Sequence, residues 1–194
     1  VTKGGTLKEF LEIAQAEVGY IEGPRDNETK YGKFVKVNFQ PWCGSFIMWC
    51  ANKAGVKIPN TIYTPAGAKA FIDKGTWSYA EEAEPMPGDL AYFDFPSDGI
   101  DRISHVGIVL EVHKNGTVTT IEGNTTPDKR GNQRNGGEVC IKIRAYKKKN
   151  RGKAKPSLPV FIVGFGRPKF KKPKTKDTGQ PVFESGDFDY ARIR

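Results

Sequence analysis

The sequence predicts an α+β domain in which helices come first and pack on an antiparallel sheet built from the second half of the chain. Three observations carry that expectation. Apolar residues recur at helical spacing as far as Gly75, hydrophobicity alternates from Pro87 onward, and the alternating runs are joined mostly by short turn-rich links. Parallel strands would need crossover segments, which such links do not supply.

The first helix is expected from about Leu7 to Val18. Thr6 supplies the N-cap and Glu9 the third residue of a capping box; Leu7, Phe10, Leu11, Ala14 and Val18 share one face, and Gly19 stops the run. A polar connection, GPRDNETKYGKF, follows. The second helix is expected to begin at Pro41, whose missing N–H would have had no partner at a first helical position. Trp42, Phe46, Trp49, Cys50 and Ala54 keep one side apolar until Gly55. A short third helix has Thr64 as cap, Pro65 at its first position and Gly75 at its end. Strands are expected at 89–95, 103–112, 117–122, 139–146 and 160–166, with Asn115-Gly116 as a two-residue hairpin turn between the second and third. Residues 1–168 form the expected domain, and 169–194, rich in Pro and Lys, a tail.

At 194 residues the chain has material for one domain with a substantial core. No apolar run approaches the roughly 18 residues of a membrane span. The N-terminus, VTKGGTLKEF, has neither an initiator Met nor a basic-then-apolar leader, as in a processed product, and no export route is legible. The net charge of +9 is unevenly placed. Residues 1–141 hold 15 Lys and Arg against 18 Asp and Glu, whereas 142–176 hold 14 Lys and Arg and no carboxylate. Such a run suits a polyanionic partner, and a solvated loop and tail is the plainer alternative.

The three cysteines, Cys43, Cys50 and Cys140, have neither disulfide-framework nor zinc spacing. Cys50, among Trp and Phe, reads as core. Cys43 falls in the first turn of a helix, where unpaired N–H groups and the positive dipole end favour thiolate; a small buried core residue is the alternative. A cysteine nucleophile needs a base, and only His105 and His113 are present. His105 starts an apolar strand, where an idle imidazole would leave two ring nitrogens to satisfy, whereas His113 lies beside a hairpin turn. Glu122, ending the next strand, is the candidate to orient the imidazole, with Asn124 as competing or additional partner. A two-residue turn at 115–116 puts Glu122 opposite Val109, on the face of His105 but about 13 Å along the strand, so contact requires a bulge or slip. Zinc hydrolase spacing is absent, the EEAE run at 81–84 reads as a solvated face, and GFG at 164–166 lacks the third glycine of a dinucleotide loop.

PWCGSFIMWC around Cys43, PGDLAYFD before the histidine strand, SHVGIVLEV and IEGNT, in that order, resemble the CHAP domain, the cysteine, histidine-dependent amidohydrolase/peptidase module of phage endolysins and bacterial wall hydrolases. The resemblance covers roughly residues 5–168. It implies a papain-like α+β fold of the NlpC/P60 superfamily and a monomeric enzyme acting on peptidoglycan at the bacterial wall, made in the host cytoplasm if phage-encoded. Cys43 would attack an amide, His105 would move the proton, Glu122 would orient His105 and Asn124 would help position the pair. The backbone N–H of Cys43 and the side chain of Gln40 would hold the oxyanion. Glycine at 44, where alanine is more usual in the family, looks neutral. Some relatives carry a calcium loop before the cysteine helix; Asp26, Asn27 and Glu28 lack its alternating-acid spacing, so neither metal nor other cofactor is expected. Lys147, Lys148, Lys149, Arg151, Lys153 and Lys155 would bind anionic wall polymer, with no nucleic-acid partner and no membrane insertion. An NlpC/P60-type wall peptidase of bacterial origin and a non-enzymatic polyanion-binding protein are the alternatives.

Overall fold

The computed structural model describes residues 4–95, 99, 102–127, 132–147 and 159–173. Within them the α+β class is the one expected: α1 (Leu7–Gln15), α2 (Lys30–Phe34), α3 (Cys43–Ala54) and α4 (Thr64–Asp73) precede β1 (Trp77–Tyr79), β2 (Leu90–Phe93), β3 (His105–Val112), β4 (Thr117–Thr125), β5 (Glu138–Ala145) and β6 (Ile162–Gly166). The strands form one sheet in the order β1-β6-β2-β3-β4-β5, every neighbouring pair antiparallel. No helix among the described residues is long and apolar enough to cross a membrane.

Local chemistry explains most element ends. Thr6 and Glu9 form the expected capping box, but α1 stops at Gln15 because the chain then turns to the sheet, where Gly19 N–H donates to Val139 O at 2.9 Å. The five-residue α2 has too few turns to show a period; Thr29 caps it by accepting from Gly32 N–H. α3 begins at Cys43 rather than Pro41, with Trp42 as N-cap, and ends at Gly55 in the left-handed conformation. α4 starts one residue earlier than expected, at Thr64, with Tyr63 as N-cap. The three-residue β1 was not expected from the sequence.

The sheet is covered on both faces. Along β2, Leu90 and Tyr92 join the core made by α1, α3 and α4, while Ala91 and Phe93 join a second cluster with Val109, Val118 and Phe165. All four β2 residues are therefore buried, which suits a strand third from one edge of the sheet. The first residues beyond Pro168 belong to the packed structure and not to a tail: Phe170 lies 5.7 Å, ring to ring, from Phe10, and Lys171 N–H donates to Gly5 O. Residues 174–194 lie outside the described residues.

Candidate active site

Cys43 is the first residue of α3, and the N-cap Trp42 makes no side-chain bond to the helix's free N–H groups. Trp42 is spent on packing instead: it is fully buried, stacks on Tyr31 and donates from Nε1 to Glu22 at 2.9 Å. The helix start is thereby anchored without its N-terminal N–H groups being consumed by a capping side chain. Gly44 is less neutral than it looks in sequence. A Cβ there would lie 2.0 Å from Thr61 O, so the strand-like segment before α4 crosses the helix start where only glycine fits.

β3 and β4 bring His105 to Glu122. The hairpin loop is longer by one residue than a two-residue turn, since His113 pairs with Thr117 and Gly116 takes a left-handed φ of 80°. Val112 then faces Val118 and Glu111 faces Thr119, but the register shifts once more between Val109 and Glu111, so that Ile108 faces Ile121. Two one-residue shifts slide Glu122 from Val109 to Gly107 without changing its face. Gly107 has no side chain to obstruct it: a Cβ there would lie 2.6 Å from Glu122 Cγ. Glu122 thus reaches His105, with Oε2 3.0 Å from Nε2.

His105 and Glu122 are fully buried and Cys43 is 3% exposed. Burial disfavours charge on all three, yet their mutual fields overcome it. Burial pushes the Cys43 thiol up, but His105 and the backbone N–H groups of Val106 and Gly44 bring it below the ordinary thiol value. Burial opposes charge on His105 too, while Cys43 first and Glu122 second raise it to about 9. Glu122, against its own desolvation, is held well below the usual carboxylate range chiefly by Arg144 and then by His105. The arrangement favours a thiolate–imidazolium pair with a fixed carboxylate behind it. With Nε2 engaged by Glu122, Nδ1 is the ring nitrogen left for Cys43. It is buried without a hydrogen bond of ordinary length, as expected of a contact that tightens when the reacting group arrives.

Residues 35–124 match the family model of the CHAP domain. Over those 90 of its 194 residues the chain is similar to a CHAP domain. No curated protein matches the sequence significantly. The matched segment runs from the turn before α3 to the end of β4, and so contains Cys43, His105 and Glu122. CHAP domains are papain-like hydrolases of peptidoglycan with amidase or peptidase activity, and the helices-then-antiparallel-sheet order seen here is that fold.

Asn124, expected to help position the pair, is placed differently. Asn124 is buried, but its amide donates to Asn27 and Asn135 and its Oδ1 accepts from Gly137 N–H. It ties the end of β4 to two loops rather than to His105. Gln40 is exposed three residues before Cys43. His113 sits at the hairpin, bonded to Thr119 Oγ1. Cys50 is core as expected, its thiol raised by burial. In the loop compared above with a calcium site, Glu28 is paired with Arg25 and Lys33, and Asp26 accepts from Asn27. The carboxylates there are engaged by the protein's own donors, which does not fit a cation cage.

Of the proposed polyanion-binding residues, Lys147 lies beside Tyr146, and Lys148, Lys149, Arg151, Lys153 and Lys155 lie outside the described residues. Part of the basic segment is engaged within the fold. Lys142 is buried and donates to Thr126 O at 2.6 Å, and Arg167, half-exposed, is paired with Asp89. Arg144, outside the CHAP match, holds Glu122 with Nε at 2.8 Å from Oε1 and a terminal nitrogen at 2.6 Å from Oε2. Thr120 Oγ1 adds a bond to Oε1 at 2.6 Å. Sequence reading missed both. The legible signal was alternation: Thr120 shares a face with Glu122, and Arg144 occupies an inward position of β5 in a strand whose other polar residues invite a solvent reading.

Proposed function

We propose that the protein cleaves an amide bond of peptidoglycan through a covalent thioester at Cys43. The observation that carries this reading is the buried line Cys43–His105–Glu122, in which a thiol lowered by its partner lies at a helix start. Cys43 Sγ attacks the carbonyl carbon, and the negative charge moves to the oxygen. The backbone N–H of Cys43 holds that oxygen, with Gln40 as second donor. His105 then gives its proton to the departing amine as the C–N bond breaks. Water, deprotonated by His105, cleaves the thioester and frees the carboxylic acid and the thiol. Glu122 keeps the ring in place throughout. The phage-lysin reading is supported by the sequence resemblance, and the basic residues 147–155 add attraction to anionic wall polymer.

Cys43→Ala is expected to abolish release of fragments from purified walls while leaving the thermal melt unchanged, whereas His113→Ala stays near wild type. Mass analysis of the fragments distinguishes a freed lactyl carboxyl from a cut within the peptide. Wall cleavage surviving in Cys43→Ala would sink the proposal.

A further inference from the structure

We propose that Arg144 is a positioning residue of this site: its guanidinium grips both oxygens of Glu122 and sets the pH range over which Cys43 and His105 exchange their proton. This rests on the reading of Cys43 and His105 as nucleophile and base. The grip is bidentate, at 2.8 and 2.6 Å, and the Arg144 side chain is 11% exposed against a carboxylate that is 0% exposed. Its position is itself held, because Gln133 Oε1 accepts from the same terminal nitrogen and the rings of Phe93 and Phe95 lie 5.5 Å from Cζ. Those two rings also flank His105, at 5.5 and 5.7 Å between centroids. Arg144 and His105 therefore share one carboxylate and one apolar wall.

The physical argument is charge balance in a dry site. Thiolate, imidazolium, carboxylate and guanidinium sum to zero, and water is too distant to compensate for the loss of one of them. The other titratable groups facing the cluster are Tyr92 on β2, raised by burial, and Cys140 on β5, pushed up to about 12 by burial and Glu138. Both are neutral at physiological pH, and the Lys142 ammonium is directed to the carbonyl oxygens of Thr126 and Pro127. Arg144 is thus the cation that offsets Glu122 when His105 is neutral. Without it the cluster carries one excess negative charge, so every proton in it is held more tightly. Thiolate forms at higher pH, and imidazolium survives to higher pH. A role in packing alone would lower activity without displacing either limb.

The experiment follows carbamidomethylation of Cys43 in the full chain by mass spectrometry as a function of pH, alongside the pH profile of wall cleavage. Arg144→Gln is expected to move the midpoint of Cys43 reactivity, and both limbs of the cleavage profile, upward by about 0.5–1 pH unit. Arg144→Lys keeps the charge but loses the fork, so its midpoint stays near wild type while kcat falls. A profile for Arg144→Gln that drops in height with unmoved limbs would overturn the proposal. Should Arg144→Gln not fold, Glu122→Gln and the double variant Glu122→Gln/Arg144→Gln decide: the single variant moves the midpoint down and the double restores it. A double variant that stays with the single one overturns the proposal equally. Alkylation requires no peptidoglycan, so a displaced midpoint without wall cleavage refutes the substrate reading and leaves Arg144's role standing.

Discussion

Gly107→Ala tests whether the register of β3 on β4 is what builds the site. The added Cβ would lie 2.6 Å from Glu122 Cγ, 3.5 Å from Cδ and 3.3 Å from Ile121 O. Ordinary contact begins at 3.4 Å, so Glu122 must retreat by about 0.8 Å. It has no free direction, because Arg144, Thr120 and His105 hold its two oxygens at 2.6–3.0 Å. Overpacking of this kind costs about 1–3 kcal/mol, which in a domain of this size lowers Tm by roughly 2–4 °C per kcal/mol. With His105 as the proposed base, displacing Glu122 by nearly 1 Å is expected to cost on the order of 10²-fold in cleavage. Gly75→Ala serves as the control. Nothing lies within 4 Å of its added Cβ, but its φ of 64° strains alanine by about 1–2 kcal/mol. Calorimetry and wall turbidity, read below both melting temperatures, should show both variants destabilised and Gly107→Ala alone inactive. Gly107→Ala with activity within about twofold of Gly75→Ala would refute the argument that an empty position at 107 is what admits Glu122.

Two further outcomes follow from the electrostatics. His105, raised to about 9, loses its proton as pH rises through that value, so cleavage should decline above about pH 9 in a kcat/KM profile. Glu122 is lowered from 4.5, so its stabilisation is present above that pH and is lost as pH falls toward its folded value; melts from neutral to acidic pH should show this slope in wild type and not in Glu122→Gln. Neutralising Lys147, Lys148, Lys149, Arg151, Lys153 and Lys155 together should weaken sedimentation with purified walls and its salt dependence, since exposed charges are screened over about 8 Å at physiological salt. Cleavage of a small soluble muropeptide should not change.

Local rules made much of the protein legible. Thr6 and Glu9 announce α1 because a capping box is satisfied within four residues, and the short apolar run 106–110 announces β3 because a strand buried on both faces keeps side chains of both parities apolar. The places of Cys43 at a helix start and His105 at the start of an apolar strand were legible too, and both stand there in the fold. The elements too short to carry a period, α2 and β1, were not legible. Nor was the packing of Phe170, whose place depends on the distant Phe10. The contact between His105 and Glu122 turns on one extra loop residue and one bulge, neither of which changes the alternation that the sequence displays. Arg144 is the strongest case. Its partner lies 22 residues away, and a cation on an alternating strand looks the same in sequence whether it meets solvent or a buried carboxylate. Patterns of neighbouring residues determined which elements form and where Cys43 and His105 stand in them. The folded sheet decided which charges share the dry space behind them, because that depends on register summed across three strands.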